Sequence, residues 1–256
     1  MSQKLLIIFL TFILFSCSHK NEEKITELSQ LKDKRIAILT GSAGDIAARK
    51  AFPDAKFLDN VASADAAYSV KIGKADALIF NKSILVNIAE RNPDLVVLEK
   101  PLAKVEVAAA FNKETTELLE DINAAIKQLE EDGTLKAMRQ KWIESNYNTV
   151  PGMPQFSNDS YSEVLKMGTS ALFEPYTFLY NNEITGFDIE LGYRIGEILE
   201  KQIEIMDMTF ESLIPALRSG KIDFALSDFN ITEERKQFIS FSIPYVVNDI
   251  SVLVRK

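Results

Sequence analysis

Two separate stretches of the chain alternate between short apolar runs and segments with the periodicity of amphipathic helices. The first stretch includes RIAILT (35–40) and ADALIF (75–80), and the second includes VLKMGT (164–169), QIEIMDM (202–208) and KIDFALSDF (221–229). Short apolar runs between helical segments are typical of buried parallel strands joined by helices. The alternation therefore predicts an α/β fold with a parallel or mixed sheet in each stretch.

The two stretches also share a local pattern. SVKIGKADALIFN (69–81) and ALRSGKIDFALSDFN (216–230) both contain the end of a helix, a Gly, a Lys, an apolar residue, an Asp, an apolar strand and a final Asn. This repetition predicts two similar α/β lobes. Because ligands of open α/β sheets bind beyond the carboxyl ends of the strands, we expect the functional site in a cleft between the lobes.

The N-terminal segment MSQKLLIIFLTFILFSC has one early Lys and an apolar run at residues 5–15. The run is too short to span a bilayer and has the arrangement of a secretory signal, with an uncleaved anchor as the alternative. LFSC resembles the lipobox of bacterial lipoproteins, which implies a signal peptide at 1–16, lipidation of Cys17 and a tether at 17–30. We therefore expect a membrane-anchored lipoprotein of the cell envelope that faces the periplasm or the cell exterior.

Cys17 is the only cysteine in the chain, and His19 is the only histidine. No Ser-His-Asp or Cys-His arrangement and no His or Cys metal cluster can therefore be built in the globular part, and we expect no cofactor. The net charge of −8 and the pI near 4.9 argue against a nucleic-acid partner, because phosphate binding needs a basic surface.

Three segments after residue 160 resemble, in order, the first lobe of family 3 of the bacterial extracellular solute-binding proteins: VLKMGTSALFEPYTFLYNNEITGFDIELGYRIGEIL, TFESLIPALRSGKIDFALSDFNITEERKQFISFSIPY and VLVRK. Four earlier segments resemble that family's second lobe and closing helices: LKDKRIAILTGSAGD, GKADALIFN, NPDLVVLEKPL and NKETTELLEDINAAIKQLEEDGTLKAMRQKW. The resemblance implies a type II periplasmic-binding-protein fold, with two lobes joined by a β hinge. It also implies capture of a small polar solute for an ABC importer and its permease, and we expect a monomer.

These segments stand in the reverse of the family's order. We interpret the chain as a circular permutant, in which residues 31–106 correspond to the family's second lobe and residues 107–145 supply a hinge strand and helices that pack on the other lobe. Residues 146–160 are then a linker, and residues 161–256 correspond to the first lobe and end in a hinge strand. A broken tandem of two receptors is the alternative. The permutant predicts a single covalent connection between the lobes, where relatives have two.

The motif NITEERKQF matches the family motif whose arginine binds the ligand's α-carboxylate, so the resemblance places Arg235 first among the binding residues. A guanidinium fork suits a carboxylate, whereas a solvated Arg235 paired with Glu233 or Glu234 is the alternative. Further candidates in the same part of the chain are polar neighbours of Arg235 and aromatic residues at positions that can enclose a ligand side chain. They are Asn230, Thr232, Asp228, Phe173, Phe210 and Tyr176. Core packing is the alternative role of the aromatic residues.

In the opposite lobe, Ser42 lies at the start of a helix, where free N–H groups favour an anion. Three positions depart from the family's pattern. Ala43 replaces a usual Thr or Ser, Asn81 stands where amino-acid binders place the aspartate that pairs with the ligand's ammonium group, and Ser170 stands where some relatives carry Asp. Either Asp228 replaces the missing charge, or the ligand carries no ammonium group.

The resemblance and these residues predict a non-enzymatic, lipid-anchored protein that binds a small carboxylate-bearing solute, such as an amino acid or a relative of one. A sensory or regulatory module that reports a solute without importing it is one alternative. A dehydratase acting on prephenate or arogenate is another, and it is disfavoured because Asn81 replaces an acid and the lobes contain no histidine.

Overall fold

The computed structural model describes residues 24–144, 149–156 and 161–256. They form two α/β lobes, which are named here the Asn81 lobe and the Arg235 lobe after one residue of each. The predictions for the signal peptide, Cys17, the first part of the tether and the ends of the linker lie outside the described residues. Among the residues described, no helix has both the length and the apolar character needed to cross a membrane.

The Asn81 lobe is built on a six-stranded sheet of order β2-β1-β3-β14-β4, with β5 paired to β14. Its elements are β1 (Arg35–Leu39), α1 (Ala43–Ala51), β2 (Lys56–Asn60), α2 (Ser63–Lys71), β3 (Ala77–Asn81), α3 (Lys82–Glu90), β4 (Leu95–Val97), β5 (Ala103–Val107) and β14 (Val246–Arg255). β1, β2 and β3 are parallel, and β14 runs antiparallel between β3 and β4. α1 packs on one face of the sheet and α2 on the other, so every residue of β3 is buried.

The Arg235 lobe is built on a five-stranded sheet of order β11-β7-β12-β6-β13 and a separate antiparallel meander, β10-β9-β8. Its strands are β6 (Ala110–Asn112), β7 (Val164–Thr169), β8 (Leu172–Phe173), β9 (Thr177–Tyr180), β10 (Glu183–Thr185), β11 (Gln202–Asp207), β12 (Phe224–Ala225) and β13 (Ile239–Phe241). Its helices are α4 (Glu117–Glu131), α5 (Thr134–Arg139), α6 (Phe187–Leu199), α7 (Phe210–Arg218) and α8 (Glu233–Lys236). A 3₁₀ turn at Leu28–Leu31 and a π-helical turn at Gln140–Glu144 complete the description.

The segment after β6 packs on the Arg235 lobe. The apolar face of α4, which includes Ile122, Ile126 and Leu129, is buried in the core. Trp142 is also buried and donates its indole N–H to the Glu190 carboxylate of α6 over 2.7 Å. These contacts attach the paired helices to the same lobe as α6.

The repeated pattern of the two lobes corresponds to a repeated joint. Asp76 precedes β3, and its backbone N–H donates to Arg35 O over 2.7 Å while its carboxylate accepts the Arg35 backbone N–H over 2.8 Å. Asp223 precedes β12 and makes the same pair of bonds to Lys166 of β7, over 2.9 and 2.7 Å. In each lobe the Asp therefore aligns the strand that leads to the final Asn of the pattern with its parallel neighbour, β1 or β7.

Within the described residues, the chain passes between the lobes twice. β5 is followed directly by β6 of the other lobe, and β13 is followed by β14, which returns to the Asn81 lobe. The two crossing segments contact each other, because the Tyr245 N–H donates to Val107 O over 3.0 Å. The structure therefore overturns two expectations. The single covalent connection is wrong, and residues 246–255 belong to the Asn81 lobe, because β14 pairs with β3, β4 and β5 along its length.

Candidate ligand-binding site

A narrow cavity lies between the lobes, beyond the carboxyl ends of β1, β3 and β12. The Asn81 lobe lines it with Leu39, Thr40, Ser42, Val61 and Phe80, and the Arg235 lobe lines it with Phe173, Phe210, Glu211, Ser227, Asp228, Asn230 and Arg235. Its volume of about 20 Å³ has room for roughly one water molecule. A larger solute can enter only if the lobes move apart, and the two crossing segments are the natural hinge for that motion.

Arg235 is buried in the wall of this cavity, with 6% of its surface exposed. Its guanidinium lies between the rings of Phe210 and Phe229, at 5.0 and 4.7 Å from their centroids. It donates to Asn230 O over 2.8 Å and across the interlobe gap to Gly41 O over 2.9 Å. These bonds use two of its five N–H groups. Burial lowers the pKa of Arg235 to about 10, against the attraction of Asp228, so the side chain remains a cation at neutral pH.

Asp228 places a buried carboxylate at the same cavity. Its backbone has a φ of 47°, in the left-handed region that Asp tolerates better than most residues. One carboxylate oxygen accepts a hydrogen bond from the side-chain amide of Asn81 in the opposite lobe. Burial and the charge of Asp188 raise the pKa of Asp228 well above its usual range, although the Asn81 hydrogen bond and the charge of Arg235 oppose this.

A second buried carboxylate holds this loop in place. Asp188, at the start of α6, accepts the Asp228 backbone N–H over 2.6 Å and the Tyr245 hydroxyl over 2.9 Å. Burial raises the pKa of Asp188 to about 7, although these two hydrogen bonds act in the opposite direction. Asp188 thus fixes the left-handed backbone that presents Asp228. Sequence reasoning missed this residue, because the acidic first turn of α6 has the appearance of ordinary helix capping.

Four buried side-chain atoms have no hydrogen-bond partner among the described residues. They are Asn81 Oδ1, Ser170 Oγ, Asp228 Oδ1 and Asn230 Nδ2. All four belong to residues that the family resemblance places at the ligand site. Asp228 and Asn230 line the cavity, Asn81 bonds to Asp228, and Ser170 bonds through its backbone to the lining residue Ser227. Buried polar atoms are nearly always paired, so this cluster marks a place where a polar ligand can supply partners.

Three aromatic rings form the apolar side of the cavity. Phe173 and Phe210, both predicted, meet edge to face with centroids 5.5 Å apart. Phe80 approaches Phe173 from the opposite lobe at 5.9 Å. Phe80 is not among the binding residues that the sequence predicts, although it directly precedes Asn81 at the end of β3. In the sequence Phe80 belongs to the apolar run ADALIF (75–80), which predicts a buried strand and gives no sign of a contact with the other lobe.

The start of α1 differs from its predicted role. Ser42 lines the cavity, but its hydroxyl caps the helix by accepting the Asp45 N–H over 3.1 Å. The Gly41 N–H donates to the Asp45 carboxylate over 2.9 Å, and the Ser42 N–H donates to Leu39 O over 3.0 Å. The expectation of free N–H groups is therefore wrong for Gly41 and Ser42, because Asp45 supplies the negative charge that the helix terminus favours.

Two further candidates lie outside the lining of the cavity. The Thr232 hydroxyl caps α8 by accepting the Arg235 backbone N–H over 3.2 Å, which orients the arginine. Tyr176 is fully buried against Phe187. Its hydroxyl accepts hydrogen bonds from Ser83 and Asn248 of the Asn81 lobe, over 3.2 and 3.1 Å. Tyr176 thus contributes to packing between the lobes, which is the alternative role given for it above.

The lobes are also joined at the rim of the cleft. Arg91, which directly follows α3, makes a two-bond ion pair with Glu174 of the other lobe, one bond being 2.6 Å long. The Ser63 hydroxyl donates to Leu172 O over 3.5 Å. Together with the interlobe hydrogen bonds of Asn81 and Arg235, these contacts hold the two lobes in the closed arrangement.

Two α/β lobes, two crossing segments and a polar interlobe cavity beside a buried arginine define the class of two-lobed solute-binding proteins. The model of one family, "Bacterial extracellular solute-binding proteins, family 3", matches residues 16–145 and 165–256. The chain therefore belongs to this family, as the sequence motifs predict.

Individual relatives match over shorter stretches. The arginine-binding extracellular protein ArtP of Bacillus subtilis is 35% identical over 108 residues, which are 42% of each chain. The probable histidine-binding protein of Campylobacter jejuni is 42% identical over 87 residues, which are 33% of each chain. The chain thus spans 42% and 33% of the length of these curated relatives. Among solved structures, the arginine-bound form of domain 1 from TmArgBP is 40% identical, with 36% of this chain and 80% of that chain covered and a TM-score of 0.32.

Proposed function

We propose that the protein captures a small carboxylate-bearing solute, an amino acid or a close relative of one, outside the cytoplasm and presents it to an ABC permease. The observation that carries this proposal is the buried Arg235 guanidinium at the interlobe cavity, beside four polar atoms that have no partner in the part of the chain that the structure describes. The names of the relatives, which are binding proteins for arginine and histidine, support an amino acid. The role is binding rather than catalysis.

In this proposal Arg235 holds the ligand's carboxylate. A planar guanidinium can bind both carboxylate oxygens, and the N–H groups beyond those bonded to Asn230 O and Gly41 O can turn toward the ligand. Asn230 Nδ2 adds a neutral donor, and Phe80, Phe173 and Phe210 enclose the ligand's apolar part. Because both lobes then contact the ligand, its binding stabilises the closed arrangement.

The location and chain order belong to the same proposal. We infer that Cys17 is lipidated and holds a monomer at a membrane surface, and that the segments of the family fold are arranged in circularly permuted order. The fact that residues before and after the linker together form two lobes, each around one central sheet, supports the permutant over a broken tandem.

A thermal-shift and calorimetric screen of L-amino acids and simple carboxylates tests the proposed function. We expect at least one compound to raise the melting temperature of the wild-type protein, because a ligand that binds only the folded state stabilises it. The Arg235→Ala variant should lose this response. Arg218→Ala, which removes an exposed arginine of α7, is the matched control and should retain it. A compound that binds Arg235→Ala with unchanged affinity would show that the carboxylate site is elsewhere.

A further inference from the structure

The four buried polar atoms at the cavity that have no hydrogen-bond partner among the described residues include both donors and acceptors. Asn230 Nδ2 is a donor and lies on the Arg235 side of the site, where Asn230 O accepts from Arg235. Asn81 Oδ1 and Asp228 Oδ1 are acceptors, and the Ser170 hydroxyl can act as one. The orientation of the Asn81 amide follows from its hydrogen bond, because its N–H donates to Asp228 and its oxygen is left for another donor. One side of the site therefore suits an anion, and the other suits a group with several N–H donors.

The charges around Asp228 favour a cation on the acceptor side. The charged or titratable groups near its carboxylate are Asp188, Arg235, Tyr176 and Tyr245, with Glu211 at the exposed rim of the cavity. Arg235 is the one cation in that set, which also contains the two buried carboxylates of Asp188 and Asp228. The guanidinium of Arg235 is already hydrogen-bonded to two backbone carbonyls. A buried carboxylate with an unpaired oxygen is costly unless a cation or a proton compensates it.

We propose that Asp228 binds an ammonium group of the ligand, with Asn81 Oδ1 as a neutral second acceptor. This proposal rests on the proposed function and names a second charged group of the same ligand. Both charged ends of an amino acid are then held by the Arg235 lobe, the carboxylate by Arg235 and the ammonium group by Asp228. Around the ammonium group the Asn81 lobe contributes a neutral amide, which closes over that group from the opposite side.

The arrangement predicts that binding is coupled to proton release. Before the ammonium group arrives, burial and the nearby Asp188 charge favour the protonated form of Asp228. A bound ammonium group favours the ionised form instead, because an opposite charge in contact stabilises a carboxylate. The affinity for a ligand with an ammonium group should therefore fall as the pH is lowered. The affinity for the same ligand without that group should lack this dependence.

The test compares L-amino acids with the matching 2-hydroxy acids, which keep the side chain and the carboxylate but replace the ammonium group by a hydroxyl. Calorimetry on the wild-type protein should show tighter binding of at least one amino acid than of its hydroxy acid, by about tenfold or more. The Asp228→Asn variant should abolish that difference, and Glu204→Gln on the exposed side of β11 should preserve it. Asn is compatible with the left-handed backbone at this position, so the variant is expected to fold.

A second measurement does not depend on a variant. Titration of the wild-type protein with the amino acid, in two buffers of different ionisation enthalpy, should show proton release on binding.

Equal binding of the amino acid and its hydroxy acid, both lost in Arg235→Ala, would overturn the Asp228 proposal and leave the proposed function intact. Proton uptake, or no proton exchange between pH 5 and 8, would also overturn it. If no compound bound in a manner that depends on Arg235, the proposed function itself would fail.

Discussion

Asp188 makes the clearest prediction at the scale of single residues. Its pKa is about 7 in the folded protein, compared with 3.8 for an ordinary aspartate. Between these values the folded chain holds a proton that the unfolded chain has released, so the free energy of unfolding should decrease as the pH rises from about 4 to about 7. The Asp188→Asn variant should therefore show a weaker loss of stability between pH 5 and 8 than the wild type.

Urea unfolding of both proteins at several pH values measures this effect. Asn can accept the Asp228 N–H with its oxygen and donate to the Tyr245 hydroxyl with its amide, so the contacts of Asp188 have counterparts in the variant. Part of the pH dependence of the free energy of unfolding should remain in the variant, because the pKa of Asp228 is also raised. Asp207→Asn, at an exposed position, is the control. If the free energy of unfolding of Asp188→Asn changed with pH as it does in the wild type, Asp188 would already be ionised at pH 5.

The sequence indicates the residues of the site better than their individual roles. Arg235, Asp228 and the pair Phe173 and Phe210 lie together at the cavity, and the family resemblance is what singles them out in the sequence. Asp188 was not found, since its role depends on a contact 40 residues away along the chain. The sequence predicts free N–H groups before α1, because nothing in a local pattern shows that Asp45 bonds to Gly41.

At the scale of elements, the Asp that aligns two parallel strands should contribute a different amount to the free energy of unfolding in each lobe. Asp76 is only 13% exposed in its side chain and also binds the Arg35 guanidinium, whereas Asp223 bonds at the surface to the Lys166 backbone. We expect Asp76→Ala to lower the free energy of unfolding by about 2–3 kcal/mol and Asp223→Ala by about 1 kcal/mol.

Denaturant unfolding of the two variants compares the joints directly. Asp54→Ala is the matched control, because Asp54 is an exposed residue whose ion pair with Lys32 spans 3.9 Å, and its removal should cost less than about 0.5 kcal/mol. Equal losses for Asp76→Ala and Asp54→Ala would show that the joint does not align β3 with β1. A greater loss for Asp223→Ala than for Asp76→Ala would reverse the proposed order.

For the molecule as a whole, alternation and repetition in the sequence predict the α/β class and the two lobes, because both depend on local periodicity. The number of connections between the lobes was not predicted correctly. An apolar run such as ISVLVRK fits a central strand of either sheet, and only its pairing with β3, β4 and β5 assigns it to the Asn81 lobe. Strand pairing over such sequence distances has no local signal.

The permuted order leads to a prediction about the whole chain. The end of β14 and the start of β1 lie at the same end of the sheet, because Arg255 and Arg35 both approach Asp76. β1 and β14 are separated by β3 alone, so their backbones are about 10 Å apart. A linker of roughly four residues can span that distance. A rearranged chain that runs from residue 161 to 256, through a short Gly/Ser linker, and then from 31 to 156 should therefore form the same two sheets.

Circular dichroism, thermal unfolding and the ligand screen on this rearranged chain provide the measurement. The melting temperature should stay within several degrees of the original, and any ligand response should keep its dependence on Arg235. A second rearrangement, opened between Leu78 and Ile79 in the fully buried β3, is the control and should not fold, because it interrupts the strand that connects β1 to β14. If the first rearrangement also failed to fold, the order of the two segments would be essential to this fold, and the permutant interpretation would have to be abandoned.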